Sequence, residues 1–368
     1  MKRRVAVIAS FLGPPGGGAQ QAAGRVAVGL RDRGHEAELW YLYRQDLRAV
    51  CDAGARVLLD GPAPGPVRYL SLPWRVLKAL RHYRPHAVVS FMPLAHVVGQ
   101  LAAAVADVGV RVPSHRSVCN TYHPLLRIAD RLWGSVGVYT RILVVSRAVA
   151  DSTRGYPRAY RDRIKEVPNG VAWTVSPLAA DVARRRFALP ETAPLLLAVG
   201  RLQEQKNYPL LIDAVAGVPD LHLVVVGGGP LKEELLSRAA ERGIADRLHL
   251  LGLVSREDIA DLHRACDGFA LASLYEGQSN ALLEAMASGM LIFASDIPEQ
   301  REVLAGSDGP AAGVLLPVDD AAAWSAAMAG LLLAGHDERR ALQEAARIRA
   351  AEFTMARMID GFEAAICE

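Results

Sequence analysis

Residues 195–229 read LLLAVGRLQEQKNYPLLIDAVAGVPDLHLVVVGGG. An apolar run over 195–199 stops at Gly200 and Arg201, a helix-like stretch follows over 209–218, and a second apolar run over 221–226 stops at Gly227, Gly228 and Gly229. Short continuous apolar runs that break at glycine suit strands buried on both faces, and a helical segment between two of them is the crossover of a parallel α/β unit. The pattern repeats downstream, with helices predicted over 231–242, 257–265 and 279–287 and strands over 248–251, 268–272 and 291–294. Beyond Pro317 the chain is Ala-rich, with helices predicted over 321–333 and 338–353 and a last one over 355–366.

The same alternation runs upstream, with strands predicted over 5–11, 38–43, 87–90, 110–114 and 142–145 and helices over 20–33, 73–82, 95–108 and 125–139. The first of these helices should stop at Gly34. Between the halves, residues 169–194 carry Pro177, Pro190, Pro194 and the charged run 184–186. The expectation is an α/β chain of two Rossmann-like doubly wound domains, 1–175 and 190–350, with 351–368 a C-terminal segment packing back on the first domain. Ligands of such sheets sit at the carboxyl ends of the strands, and two such domains are expected to face each other across a cleft that closes.

At 368 residues and 51% hydrophobic, the chain is too long for one core and too apolar to be disordered. No apolar run is long enough for a transmembrane helix. The opening MKRRVAVIAS resembles the start of a signal peptide, but its apolar part runs into Pro14 and Gly16 and suits a first strand better. A cytoplasmic location is expected, with peripheral contact at the inner face of the membrane as an extension of it. Cys51, Cys119, Cys266 and Cys367 show no pair spacing, which argues against a disulfide frame or a zinc site.

The net charge of +3 conceals an asymmetry: 28 Lys and Arg stand against 12 Asp and Glu through Pro190, and 14 against 27 thereafter. The first half should attract anions, whether a phospholipid surface or a phosphorylated acceptor, or else the acidic second half. Its basic residues are dispersed and lack interleaved aromatics, so no nucleic acid partner is expected. Residues 71–85, SLPWRVLKALRHYRP, set Arg75, Lys78, Arg81 and Arg84 among Trp74, Leu77 and Leu80. Such a helix either lies on an anionic membrane or packs on a sheet with its charges in water.

Residues 273–289, SLYEGQSNALLEAMASG, carry the densest chemistry. Glu276 follows a strand, and Glu284 lies within a helix that begins near Ser279 and Asn280. A helix start offers free N–H groups to a phosphate, and a carboxylate accepts hydrogen bonds from adjacent sugar hydroxyls. Arg201 and Lys206 follow the strand 195–199, where two cations would neutralise a diphosphate. Gly16, Gly17 and Gly18 occupy the first strand-to-helix turn, and Gly228 lies in a similar run; each is either a ligand-approach point or a plain turn. Neither a dinucleotide fingerprint nor a P-loop is present.

Taken together, the second half resembles family 4 of the glycosyltransferases, the retaining enzymes of the GT-B fold. The stretches that carry the likeness are LLLAVGRLQEQKNYPLLIDAVA, LVVVGGGPLKEELLSRAAERGIADRLHLLG and SREDIADLHRACDGFALASLYEGQSNALLEAMASG. The first half matches more loosely, through GGAQ, RGHEAEL, PHAVVSFMPLAHVVGQLAA, ILVVSRAVADS and KEVPNGV. The resemblance implies a nucleotide sugar as donor substrate, UDP favoured, with no separate cofactor and no catalytic metal. It implies Arg201 and Lys206 on the diphosphate, Glu284 on the ribose, and Glu276 on the transferred hexose or N-acetylhexosamine. Gln278, Ser279 and Asn280 would contact sugar and phosphate, with Gly17 and Gly18 approaching from the other domain. The acceptor would be a hydroxyl on a lipid-linked glycan or a small metabolite.

Three departures stand out. Many relatives have a sugar-contacting histidine at the strand end near 111–114, where this chain has His115 and Arg116, with His96 a third candidate. Gln20 replaces an acidic residue, and Met290 with Leu291 replace a G-x-P pattern after Gly289. A sugar-nucleotide epimerase, a phosphorylase and a non-catalytic scaffold of the same architecture are the alternatives. The oligomeric state is not legible.

Overall fold

A computed structural model of the chain describes residues 2–13, 18–45, 54–60, 66–305 and 311–367. The chain divides into two compact units, one of Met1–Gly170 with Met355–Glu368 and one of Val171–Thr354.

The first unit holds strands β1 (Arg4–Leu12), β2 (Glu36–Arg44), β3 (Ala55–Leu59), β4 (Ala87–Phe91), β5 (Val110–His115), β6 (Ile142–Val144) and β7 (Ile164–Glu166). Among the described residues they form one parallel sheet of seven strands in the order β3-β2-β1-β4-β5-β6-β7. β1 is apolar on both faces, as a central strand must be. Val5, Val7 and Ala9 enter one core cluster, and Ala6 and Ile8 enter the other.

Helix Gly18–Asp32 covers the first face through Ala22, Ala23, Val26, Ala27 and Leu30. It ends where Gly34, at φ 85°, lets the His35 N–H reach back to the Leu30 carbonyl. On the same face lies helix Met355–Cys367, which buries Met358, Ile359, Phe362, Ala365 and Ile366. Its Glu363 accepts from Arg33 and meets His35 Nε2 at 3.0 Å. Helix Leu72–Tyr83 covers the other face, burying Leu72, Val76, Ala79 and Leu80 while Arg75, Lys78 and Arg81 point to water. Its apolar side is therefore spent on the sheet.

The second unit holds β8 (Leu195–Val199), β9 (His222–Val226), β10 (Leu248–Gly252), β11 (Gly268–Leu271), β12 (Leu291–Ser295) and β13 (Val314–Leu316). Their parallel sheet runs β10-β9-β8-β11-β12-β13. Leu195 and Leu197 enter one cluster, and Leu196 and Ala198 the opposite one.

Residues 180–186, which lie in the Pro-rich stretch of the sequence, form helix Ala180–Arg186 of this unit. Arg184 organises the turns around it, donating to the carbonyls of Ala265, Pro190, Glu191 and Ala193 and pairing with Asp267 at 2.9 Å. One guanidinium thus satisfies carbonyls that a Pro-rich loop cannot pair with itself. Strands β3, β7 and β13 have no counterpart among the predicted strands. All three lie at sheet edges and are short, β3 of 5 residues and β7 and β13 of 3 each, and β7 is mostly exposed, so the apolar signal that each offers is brief. No helix among the described residues is long and apolar enough to cross a membrane.

Two expectations concern stability. Phe362 is fully buried against the first sheet, its ring 5.8 Å from that of Phe91. Phe362→Ala should cost about 3–5 kcal/mol in denaturant unfolding, read from a probe on the first unit. His263 is buried against Trp173, its Nδ1 2.9 Å from Ser288 Oγ, and burial pushes its pKa down to about 3. The folded state therefore binds fewer protons than the unfolded one between about pH 6.5 and 3, so this contribution is complete above that window and lost as pH falls through it. His263→Phe should flatten the fall in Tm across that range.

Candidate functional site

The strand order of the second unit reverses between β8 and β11, so the loops leaving their carboxyl ends diverge and open a crevice. The loop after β8 carries Gly200 and Arg201, makes a tight turn over Glu204–Lys206, and passes through Asn207 at φ 50° into helix Tyr208–Ala216. Asn207 is suited to that left-handed position, and its side-chain amide donates to the Val318 carbonyl at 2.9 Å. The loop after β11 leads into helix Asn280–Ala287.

Three contacts tie the loops together. The Leu274 N–H donates to the Gln205 carbonyl at 2.9 Å, Gln205 Nε2 to the Tyr275 carbonyl at 2.9 Å, and Lys206 Nζ to Glu276 Oε1 at 2.6 Å. Ser273 Oγ donates to the same Glu276 oxygen at 2.8 Å. The Lys206 and Glu276 side chains are only 13% and 10% exposed, so each is the other's necessary counter-ion. Tyr208 donates to the Gly200 carbonyl at 2.9 Å, and burial, helped by the Glu276 charge, pushes its phenol above the ordinary range and keeps the proton in place.

Arg201 stands exposed, with no ion partner among the described residues. The Gly200 N–H donates to the Val226 carbonyl, and the Leu202 N–H to the Gly228 carbonyl. This close passage explains the glycine run after β9, since a Cβ on Gly227 would fall inside the Gly200 carbonyl and one on Gly229 inside that of Leu202. Gly228 has room around it.

Ser279 caps helix Asn280–Ala287, its side chain accepting from the Leu282 N–H. The N–H groups of Asn280 and Ala281 have no acceptor among the described residues, and Asn280 Oδ1 is buried without a partner. Gln278 is buried just ahead of them. Glu284 is buried within the helix, and Arg256 Nη2 lies 3.7 Å from its Oε1.

Arg256, Ser273 and Tyr208 were not singled out by the sequence, nor was Glu299. Burial raises the Glu299 carboxyl above the ordinary range, and the charges of Glu276 and Glu302 add to this, while the N–H groups of Glu299 and Glu276 oppose it. Nothing local to these residues marks them, because their partners arrive from other strand ends.

In the first unit, Gly16 and Gly17 lie outside the described residues, Gly18 opens its helix, and Gln20 Nε2 donates to the Phe11 carbonyl at 2.7 Å. His115 is fully buried, with Tyr122 OH 3.0 Å from Nδ1 and Tyr160 OH 3.2 Å from Nε2. Tyr160 gives its proton to Asp130, so His115 donates from Nε2 and accepts at Nδ1 from Tyr122. Burial lowers the His115 pKa, with Asp130 opposing it. His115, Cys119 and Asp130 have ligand atoms within 4.8 Å of one another, but both ring nitrogens and both carboxylate oxygens already serve tyrosines.

His96 is buried beside His115, its Nδ1 2.9 Å from Ser90 Oγ. Arg116 donates to Ser114 Oγ at 3.0 Å and Asn169 Oδ1 at 2.7 Å, and lies over Phe91 and Phe362. Its Nη2 is buried without a partner, and burial pulls its pKa down to about 9.

Two family models match the chain, "Glycosyl transferase 4-like domain" over residues 17–170 and "Glycosyl transferases group 1" over residues 180–349. The D-inositol 3-phosphate glycosyltransferase of Mycolicibacterium smegmatis is 31% identical over 60% of this chain and 51% of its own length. The phosphatidyl-myo-inositol mannosyltransferase of the same organism is 33% identical over 54% of this chain and 51% of its own. The chain thus spans about half the length of these curated relatives. Among solved structures, Anabaena HepE in complex with UDP and glucose superposes with a TM-score of 0.83 over 98% of each chain at 19% identity. With both units matched by glycosyltransferase models and the fold shared with HepE, the chain belongs to the GT-B-fold glycosyltransferases related to family 4.

Proposed function

We propose that the chain transfers a hexose or N-acetylhexosamine from a nucleoside diphosphate sugar to an acceptor hydroxyl, with retention of anomeric configuration and without a catalytic metal. The observation that carries this reading is the reversal point between β8 and β11, where Arg201, without an ion partner among the described residues, follows the same strand as Lys206 of the buried Lys206–Glu276 pair.

Arg201, Lys206 and the open N–H groups of Asn280 and Ala281 receive the diphosphate, with Gly228 leaving space for it. As the anomeric bond breaks, both electrons pass to the leaving phosphate oxygen, and the cations stabilise that growing charge more than the ground state. The acceptor proton passes to the same phosphate oxygen, so attack comes from the face the leaving group vacates. Glu276, held by Lys206 and Ser273, accepts from the sugar hydroxyls. Glu284 accepts from the ribose, and Gln278 with Ser279 shapes the loop between them.

UDP is the favoured nucleotide, a choice supported by HepE having been solved with UDP and glucose. A lipid-linked glycan or a small metabolite as acceptor agrees with relatives named for a diphospho-undecaprenol substrate and for D-inositol 3-phosphate.

Donor turnover in Glu276→Gln and Lys206→Ala should fall by about 10²-fold or more, with circular dichroism confirming the fold. Unchanged turnover in both would overturn the reading. Saturation-transfer NMR should show UDP bound, and Glu284→Ala should weaken that binding by about tenfold, as expected for a lost charge-assisted bond to the ribose.

A further inference from the structure

Glu299 is a buried carboxylate with no part in the transfer chemistry. It stands in the first turn of helix Pro298–Ala305, which leaves the carboxyl end of β12, and is 6% exposed. It has no ion pair among the described residues, and Arg301 of the same turn is already paired with Asp296. A carboxylate without a cation, set near the like charge of Glu276, is costly to bury.

Two N–H groups offset that cost. The Glu299 carboxylate accepts from its own N–H, one of the donors left open at a helix start, and from the N–H of Glu276. The second bond crosses from one loop to another. Leu271 of β11 pairs with Ala294 of β12, and Glu276 and Glu299 each stand five residues beyond that pair, so the register of the strands brings them together. Ser295 Oγ adds a tie between the same strand ends, donating to the Leu271 carbonyl at 3.4 Å.

The bond falls on a residue that is already held elsewhere. Lys206 and Ser273 fix the Glu276 side chain through its Oε1, at 2.6 and 2.8 Å. Lys206 arrives from the loop after β8 and Glu299 from the loop after β12, the two strands that flank β11 in the sheet. Glu276 is thus gripped from both sides, by its carboxylate on one and by its peptide on the other. A side chain fixed at its head alone leaves its own backbone free to turn, and a displacement on the order of 1 Å costs about 10²-fold in a reacting geometry.

We infer that Glu299 is a positioning residue for Glu276, accepting the Glu276 N–H and so fixing the peptide from which that carboxylate projects. The inference rests on the transferase reading for the role of Glu276, and on the contact between the loops for the hold itself.

The test compares the full chain with Glu299→Leu, which fills the space without an acceptor, and Glu299→Gln, which keeps an oxygen at the same reach. Hydrogen exchange resolved to single amides is followed beside donor turnover and UDP binding, with melting temperatures confirming the fold. In Glu299→Leu the Glu276 amide should exchange at least about tenfold faster and donor turnover should fall by about tenfold or more, as expected for a lost charge-assisted bond. UDP binding should stay within about twofold of the parent, since Arg201, Lys206 and Glu284 are untouched. Glu299→Gln should bring exchange and turnover back to within about threefold of the parent. Unchanged exchange at Glu276 in Glu299→Leu, or an equal loss in both variants, would overturn the inference. Exchange as expected in a parent that turns over no donor would sink the transferase reading and leave the hold of Glu299 on Glu276 supported.

Discussion

The buried ion pair between Lys206 and Glu276 is the constraint on which the second unit's strand-end region depends. Neither charge is tolerable alone at its degree of burial, so the loop after β8 and the loop after β11 must come together or both pay the desolvation of an unpaired charge. The backbone contacts from Gln205 to Leu274 and Tyr275 then fix the register of the two loops. Everything arranged around them follows: the direction of Glu276, the start of helix Asn280–Ala287, and the outward position of Arg201. The pair's own charges cancel, whereas Arg201 has no ion partner among the described residues.

The first unit solves the opposite problem. Around His115 it gathers buried polar groups: burial lowers the pKa of the imidazole, and the Asp130 carboxylate accepts from two tyrosine hydroxyls. With both ring nitrogens of His115 and both oxygens of Asp130 bonded, this network fixes one arrangement of side chains more tightly than apolar packing would. Its reach extends to the surface, since Asp130 sets the rotation of helix Pro124–Ser135 and so decides which residues that helix shows to solvent.

Much of this was legible in the sequence wherever a residue's neighbours along the chain reveal its surroundings. The central strands announce themselves as apolar runs, and Arg201, Lys206 and Glu276 could be grouped because each follows such a run. Strands β3, β7 and β13 could not be found, because each is short, of 5, 3 and 3 residues, and gives too brief an apolar signal. Arg256 near Glu284, and Glu299 near Glu276, depend on strand register that no local pattern encodes. The helix near 125–139 was visible, but its rotation was not. Periodicity marks Leu125, Ile128 and Leu132 as one side and does not say that a carboxylate and two tyrosines will turn that side outward.

Helix Met355–Cys367 belongs to the first unit, although the whole of Val171–Thr354 separates it from the rest of that unit. On the ribosome, the second unit is therefore synthesised in full while the first still lacks the helix that covers Val5, Val7 and Phe91. The unit begun first is finished last, and its apolar sheet face must wait through that interval, a long-range closure of the kind that slows folding and invites chaperone attention.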